Sequence, residues 1–219
     1  MSWRVAVDGG ETTAVYEPAL APPSRAVFVC AHGAGGHMDD RGMLALSSVA
    51  RACGLDVVRF EFLYRAKGSG RPDPMPRLKA CMEAVVARTR EELAPAKLII
   101  GGRSMGGRTA SMLAADGFAC DGLLLFAYPL HPAGKPGKLR DAHLPQITVP
   151  VLCYNGTRDA LCERDLMERA LRTARAPWEM HWLEGADHSL HVLKSSGRTD
   201  ADVLEEVGEA TDRWLTRTL

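Results

Sequence analysis

The chain has 219 residues, of which 46% are hydrophobic and 25% charged, and 27 Lys and Arg balance 27 Asp and Glu. That is a globular composition at single-domain length, able to bury roughly 70% of the surface its unfolded chain exposes. Zero net charge provides no general field to gather nucleic acid or an anionic membrane, and no apolar run reaches the roughly 20 residues that span a bilayer.

Strand and helix patterns alternate along the chain, the signature of an α/β protein with a mostly parallel twisted sheet and helices on both faces. Trp3 to Val7 and Thr13 to Tyr16 flank Asp8-Gly9-Gly10 and predict an opening antiparallel hairpin. Beyond the breaker Pro18 to Pro23, Ala26 to Cys30 is a continuous apolar run suited to a strand buried on both faces. Apolar residues at helical spacing from Met43 to Cys53 stop at Gly54, and Val57 to Phe62 is the next strand. Leu78, Cys81, Met82, Val85 and Val86 make one face of a helix starting near Pro76. Lys97 to Ile100 is a strand that runs into a glycine-rich turn and another helix. Leu123 to Phe126 and Val151 to Tyr154 are strands, Leu166 to Leu171 a helix, Glu179 to Leu183 the last strand, and Val203 to Leu215 a closing helix. The longest irregular stretch, His131 to Val149, is too short for a lid domain, so the expectation is one domain over residues 1–219.

The start, Met1 to Asp8, lacks the apolar core of a signal peptide. Cys30, Cys53, Cys81, Cys120, Cys153 and Cys162 are scattered and form no C-x-x-C pair. A cytoplasmic protein with reduced thiols is expected, without a cofactor, a metal, or a nucleic-acid or membrane partner.

Gly102-Arg103-Ser104-Met105-Gly106 is a G-x-S-x-G between a strand and a helix. Such a turn strains the serine backbone, its glycines let strand and helix approach, and the hydroxyl projects at a helix N-terminus. A serine nucleophile needs a base and the base needs an acid; with a nucleophile elbow these follow in the order Ser, Asp or Glu, His. Asp159 lies beyond the strand Val151 to Tyr154, and His188 beyond the strand Glu179 to Leu183. Both therefore fall at strand C-terminal ends, where α/β sheets place their ligand crevice. Asp159 as a helix cap, His191 as the base and Asp187 as a competing acid are the alternatives. An oxyanion hole needs the N–H after the nucleophile, Met105, and one from the loop His32-Gly33-Ala34-Gly35-Gly36, with Ala34 preferred over Gly35.

Gly102 to Thr109 also differs at one position from a phosphate loop, with Arg108 where the lysine belongs. Arginine substitutes poorly there, and no later strand ends in a magnesium-holding aspartate. His32, His37, Asp39 and Asp40 suggest a metal site only weakly, since side chains so close along a tight loop rarely converge.

Taken together, Ala31-His32-Gly33-Ala34-Gly35-Gly36, Arg59-Phe60-Glu61-Phe62, Gly102 to Arg108, Tyr128 to Pro132, Lys138-Leu139-Arg140, Gly156 to Asp159 and Asp187-His188-Ser189 carry a resemblance over essentially the whole chain. The chain resembles the α/β-hydrolase superfamily, and within it the small lidless dienelactone-hydrolase-like proteins. It looks most like a family of bacterial hydrolases related to a hydrolase-like domain of an animal chromatin-complex subunit. The resemblance implies the α/β-hydrolase fold, Ser104, Asp159 and His188 as the triad, and a small-molecule acyl substrate such as a carboxylic ester. Leu63 stands where relatives are expected to carry proline. Tyr64, Leu130, His131 and Leu161 are the expected pocket lining. Arg59, Glu61, Arg103 and Arg108 lie outside the triad and read first as an ion-pair network, second as a site for an acidic substrate. A non-catalytic binding or scaffold protein that keeps the fold is the alternative, and three cooperating groups in the right order speak against it.

Overall fold

The hairpin forms from Ser2–Val7 (β1) and Gly10–Glu17 (β2), with Gly9 supplying the left-handed conformation of its turn at φ 86°. In this computed structural model residues 1–21 and 24–219 are described; Pro22 and Pro23, which end the breaker, lie outside the described residues. The remaining strands are Ala26–Ala31 (β3), Leu55–Phe60 (β4), Leu98–Arg103 (β5), Gly122–Phe126 (β6), Val151–Gly156 (β7) and Trp178–Leu183 (β8). The helices are Arg41–Ala52 (α1), Leu63–Ala66 (α2), Met75–Leu93 (α3), Met105–Ala115 (α4), Arg164–Leu171 (α5) and Asp200–Thr218 (α6).

The strands make one eight-stranded sheet in the order β1-β2-β4-β3-β5-β6-β7-β8. β2 is antiparallel to β1 and β4, and all other pairs are parallel. From β3 the chain steps outward to β4, then crosses back to β5 and proceeds the other way to β8. The order therefore reverses between β3 and β5, and a crevice opens at their carboxyl ends.

Side-chain alternation divides the core between the two faces of the sheet. Val27, Val29 and Ala31 of β3 pack with residues of α3, α4 and α5, while Ala26, Phe28 and Cys30 pack with α1 and α6. All six cysteines are free thiols. Among the described residues no helix is long and apolar enough to cross a membrane.

Two boundaries differ from the sequence reading in ways that shape the crevice. β4 ends at Phe60, level with Ala31 at the end of β3, so Glu61 and Phe62 leave the sheet and lead into the one-turn α2. β5 runs on to Arg103 through Gly101 and Gly102, because only glycine fits: a Cβ on Gly101 would sit 1.9 Å from the Leu124 carbonyl oxygen.

Candidate active site

Ser104 joins β5 to α4 with φ 51° and ψ −115°, a sparsely populated conformation for a residue with a side chain. The packing around it enforces the turn. A Cβ on Gly102 would lie 2.1 Å, and one on Gly106 2.5 Å, from the Ala31 carbonyl oxygen, so β3 abuts both sides of the elbow. The Ser104 N–H donates to the Phe126 carbonyl at 2.8 Å, which fixes the elbow against β6.

Ser104 Oγ is 2.8 Å from His188 Nε2, and His188 Nδ1 is 2.8 Å from Asp159 Oδ2 and 3.0 Å from Oδ1. The carboxylate leaves Nδ1 as the protonated nitrogen and Nε2 as acceptor for the serine hydroxyl. Asp159 is buried and caps no helix, since α5 begins after Glu163. Its Oδ1 accepts the Leu161 N–H at 2.8 Å and its Oδ2 accepts from Asn155 Nδ2 at 3.1 Å. Asn155, at the buried end of β7, also pairs with both backbone groups of Tyr128: its Oδ1 accepts the N–H at 3.2 Å and its Nδ2 donates to the carbonyl at 3.1 Å. Sequence reasoning missed Asn155, because its role depends on β6 and β7 lying side by side.

His191 faces away from Ser104, its Nδ1 2.9 Å from both Asp200 oxygens at the start of α6. Asp187 is occupied by the backbone: its Oδ1 accepts the Ser189 and His191 N–H groups at 2.7 and 3.1 Å and shapes the turn that presents His188. Arg103 braces the same turn, its Nη2 donating to the His188 carbonyl at 3.3 Å and to Ser189 Oγ at 3.2 Å.

Opposite the elbow, Gly33 to Gly36 form a turn closed by the Gly36 N–H to the Gly33 carbonyl at 3.2 Å, with Gly35 at φ 74°. Ala34 and Met105 both border the cleft at Ser104, and among the described residues neither N–H has a hydrogen-bond acceptor. Tyr64, which packs on His32, has a buried hydroxyl with no hydrogen-bond partner among the described residues. His32 clamps the turn from beneath, its Nδ1 donating to the Gly33 carbonyl at 2.8 Å while Nε2 accepts the Phe62 N–H at 3.1 Å. Burial pushes the His32 pKa down to about 4, so the clamp is a neutral imidazole.

The loop beyond is held by ions. Buried Arg59 pairs with Glu17 and Asp39 at 2.8 Å each and donates to the Met38 carbonyl, while Glu61 accepts the Met38 N–H at 2.6 Å. Arg59 and Glu61 thus belong to a structural network. The metal-site candidates face different partners: His32 bonds backbone, Asp39 meets Arg59, and His37 meets Asp40 at 3.1 Å. The packing speaks against the phosphate-loop reading. Gly106 is pressed on Ala31, a Cβ on Gly107 would lie 2.7 Å from the Gly102 carbonyl oxygen, and the Thr109 hydroxyl donates back to the Met105 carbonyl at 2.8 Å.

A cleft of about 510 Å³ opens beside Ser104, walled by Met75, Leu78, Pro129 and Leu161 among others. Of the expected lining only Leu161 is on this wall. Tyr64, Leu130 and His131 are 3%, 0% and 1% exposed and lie behind it. His131 is structural: its Nδ1 donates to the Pro132 carbonyl at 3.1 Å and its Nε2 accepts the Glu163 N–H at 3.2 Å, tying the loop to the start of α5.

An elbow serine, an imidazole and a buried carboxylate in line, at a sheet switch point, define the nucleophile-elbow class of α/β protein. Residues 24–216 match the family model described as the alpha/beta hydrolase domain, and the chain belongs to that family. Among solved structures, an alpha-beta serine hydrolase homologue from Coxiella burnetii is 19% identical, with 97% of this chain and 96% of that one covered at a TM-score of 0.78. Est1E from Butyrivibrio proteoclasticus, determined with ferulic acid bound, is 16% identical over 99% and 98%, with a TM-score of 0.80. A dienelactone hydrolase from Anabaena variabilis is 17% identical over 100% and 97%, with a TM-score of 0.75. At these identities the likeness is one of fold, without a large lid.

Proposed function

We propose that the protein is a serine hydrolase that cleaves a carboxylic ester or related small acyl compound through an acyl-enzyme. The observation that carries this reading is the chain of hydrogen bonds from Ser104 Oγ through His188 to Asp159, with both links at 2.8 Å. As Ser104 Oγ bonds to the substrate carbonyl carbon, its proton passes to His188 Nε2, and Asp159 stabilises the imidazolium. The carbonyl oxygen becomes an oxyanion between the Ala34 and Met105 N–H groups, each donor contributing about 3 kcal/mol at such sites. Collapse breaks the bond to the leaving oxygen, which takes the Nε2 proton and departs as an alcohol. Water then attacks the acyl-serine, gives its proton to Nε2, and the ester bond to Ser104 breaks as Oγ regains that proton. Ester and water yield acid and alcohol, with the enzyme unchanged.

Steady-state turnover of short-chain nitrophenyl esters tests this. Ser104→Ala is expected to lower kcat by about 10⁴-fold or more. Turnover that survives unchanged in Ser104→Ala would refute the reading.

A further inference from the structure

Two guanidinium groups line the Ser104 cleft, those of Arg108 on the first turn of α4 and Arg140 at the end of the loop that leaves β6. Among the described residues neither has an ion-pair partner, and Arg108 Nε is buried without a hydrogen bond. This is not a shortage of acid, since the chain carries 27 acidic residues and Arg59 engages two of them. Asp73, the carboxylate on the cleft wall, faces Arg77 at 3.8 Å instead. Tyr128 and His143, which meet each other beside the arginines, are neutral, with the Asp116 and Asp141 charges acting on His143. Burial raises the Tyr128 hydroxyl pKa, and burial with the Arg108 charge lowers that of His143 to about 4. Burial depresses the Arg108 pKa, Tyr128 opposes the shift, and the Arg140 charge adds a smaller push downward.

Both arginines have fixed backbones. The Arg108 N–H donates to the Ser104 carbonyl at 2.9 Å. The Arg140 N–H donates to the Leu130 carbonyl at 2.7 Å, and its own carbonyl accepts the Tyr128 hydroxyl at 3.3 Å. The loop before it, Pro132 to Leu139, adds Lys135 and Lys138 and no acid. The cleft that these cations share with Ser104 also has apolar lining, from Met75, Leu78, Pro129 and Leu161. A guanidinium pair without counter-ions suits a carboxylate, because each fork donates to two oxygens and an anion offsets the two positive charges.

We infer that the cleft takes an acyl ester bearing a second, ionised carboxylate, a monoester of a dicarboxylic acid, with its methylenes on the apolar walls and its free carboxylate on Arg108 and Arg140. The inference rests on the hydrolase reading for the position of the scissile carbonyl.

The test compares monoethyl glutarate with its uncharged isostere, ethyl 4-carbamoylbutanoate. Wild-type kcat/KM is expected to favour the carboxylate about 10- to 100-fold, and Arg108→Gln and Arg140→Gln are each expected to cut that ratio to about 3 or less. Each variant removes one of two unpaired like charges, so neither is expected to melt below the wild type. A wild-type ratio near 1, or a ratio that survives in both variants, overturns the inference while leaving the hydrolase reading intact. Should neither ester turn over and Ser104 resist acylating probes, the hydrolase reading fails instead. The subsite is then judged by binding: glutarate must raise Tm more than glutaramide does, and Arg108→Gln must abolish the difference; equal effects overturn it.

Discussion

The Asp159 carboxylate accepts from His188, Leu161 and Asn155, so the imidazole is aimed by a group that is itself fixed from two sides. Asn155→Ala removes one of those supports and leaves the Tyr128 N–H unpaired in the interior, while the Tyr128 carbonyl keeps the Leu130 N–H at 3.1 Å. Steady-state kinetics are expected to record a roughly tenfold loss of kcat with little change in KM, and urea titration a loss of about 2 kcal/mol. His32 and His143 set a pH dependence of a different origin. Both have folded pKa values lowered to about 4 from 6.5, chiefly by burial, so the unfolded chain takes up these protons first as the pH falls. Their contribution is fully present above about pH 6.5 and is lost toward pH 4. Urea titrations from pH 7 to 5 should register the loss of stability, and His143→Gln should reduce its slope by about one proton. At this scale Ser104, Asp159 and His188 could be picked from the sequence, because strand ends and chain order constrain them. Asn155 could not, since nothing local marks a strand asparagine as the partner of a neighbouring strand's backbone.

The strand–turn–helix unit around Ser104 is built on close approach rather than on side-chain contact. A Cβ at position 102 or 106 would strike the Ala31 backbone, whereas one at Gly137 would meet nothing within 4 Å. Gly102→Ala and Gly106→Ala are therefore expected to lose about 3 kcal/mol or more, or to fail to fold, and Gly137→Ala to stay within about 0.5 kcal/mol of the wild type. Differential scanning calorimetry on the three variants checks both halves of that statement. Element identity was largely readable here, because each strand is a continuous apolar run and each helix a stripe. The early end of β4 was not, since it is set by where β3 stops pairing. The one-turn α2 offers too short a pattern to read. Tyr64, Leu130 and His131 were misplaced for a related reason: adjacency to site motifs in the chain does not say which side of a turn faces the cleft. Met75 and Leu78, which do face it, come from a helix distant in sequence from the elbow.

At the scale of the whole molecule, the sheet order explains why residues as far apart as 34, 104, 159 and 188 share one crevice. β3 and β5 are neighbours at the reversal, so the turn after one and the elbow after the other face each other, while β7 and β8 deliver the acid and the imidazole from the same edge. The alternation of apolar strands with helical stripes already implied a parallel sheet, but which strands lie at the switch is a property of topology that spacing along the chain does not encode. The same limit hid the unpaired state of Arg108, which is defined only by what surrounds it. The central claim is that Ser104 is an activated nucleophile, and intact mass after treatment with a fluorophosphonate probe tests it most directly. The account predicts a single adduct that maps to Ser104, is absent in Ser104→Ala and is strongly suppressed in His188→Ala. No adduct on the folded protein, or an adduct that persists in Ser104→Ala, would contradict it.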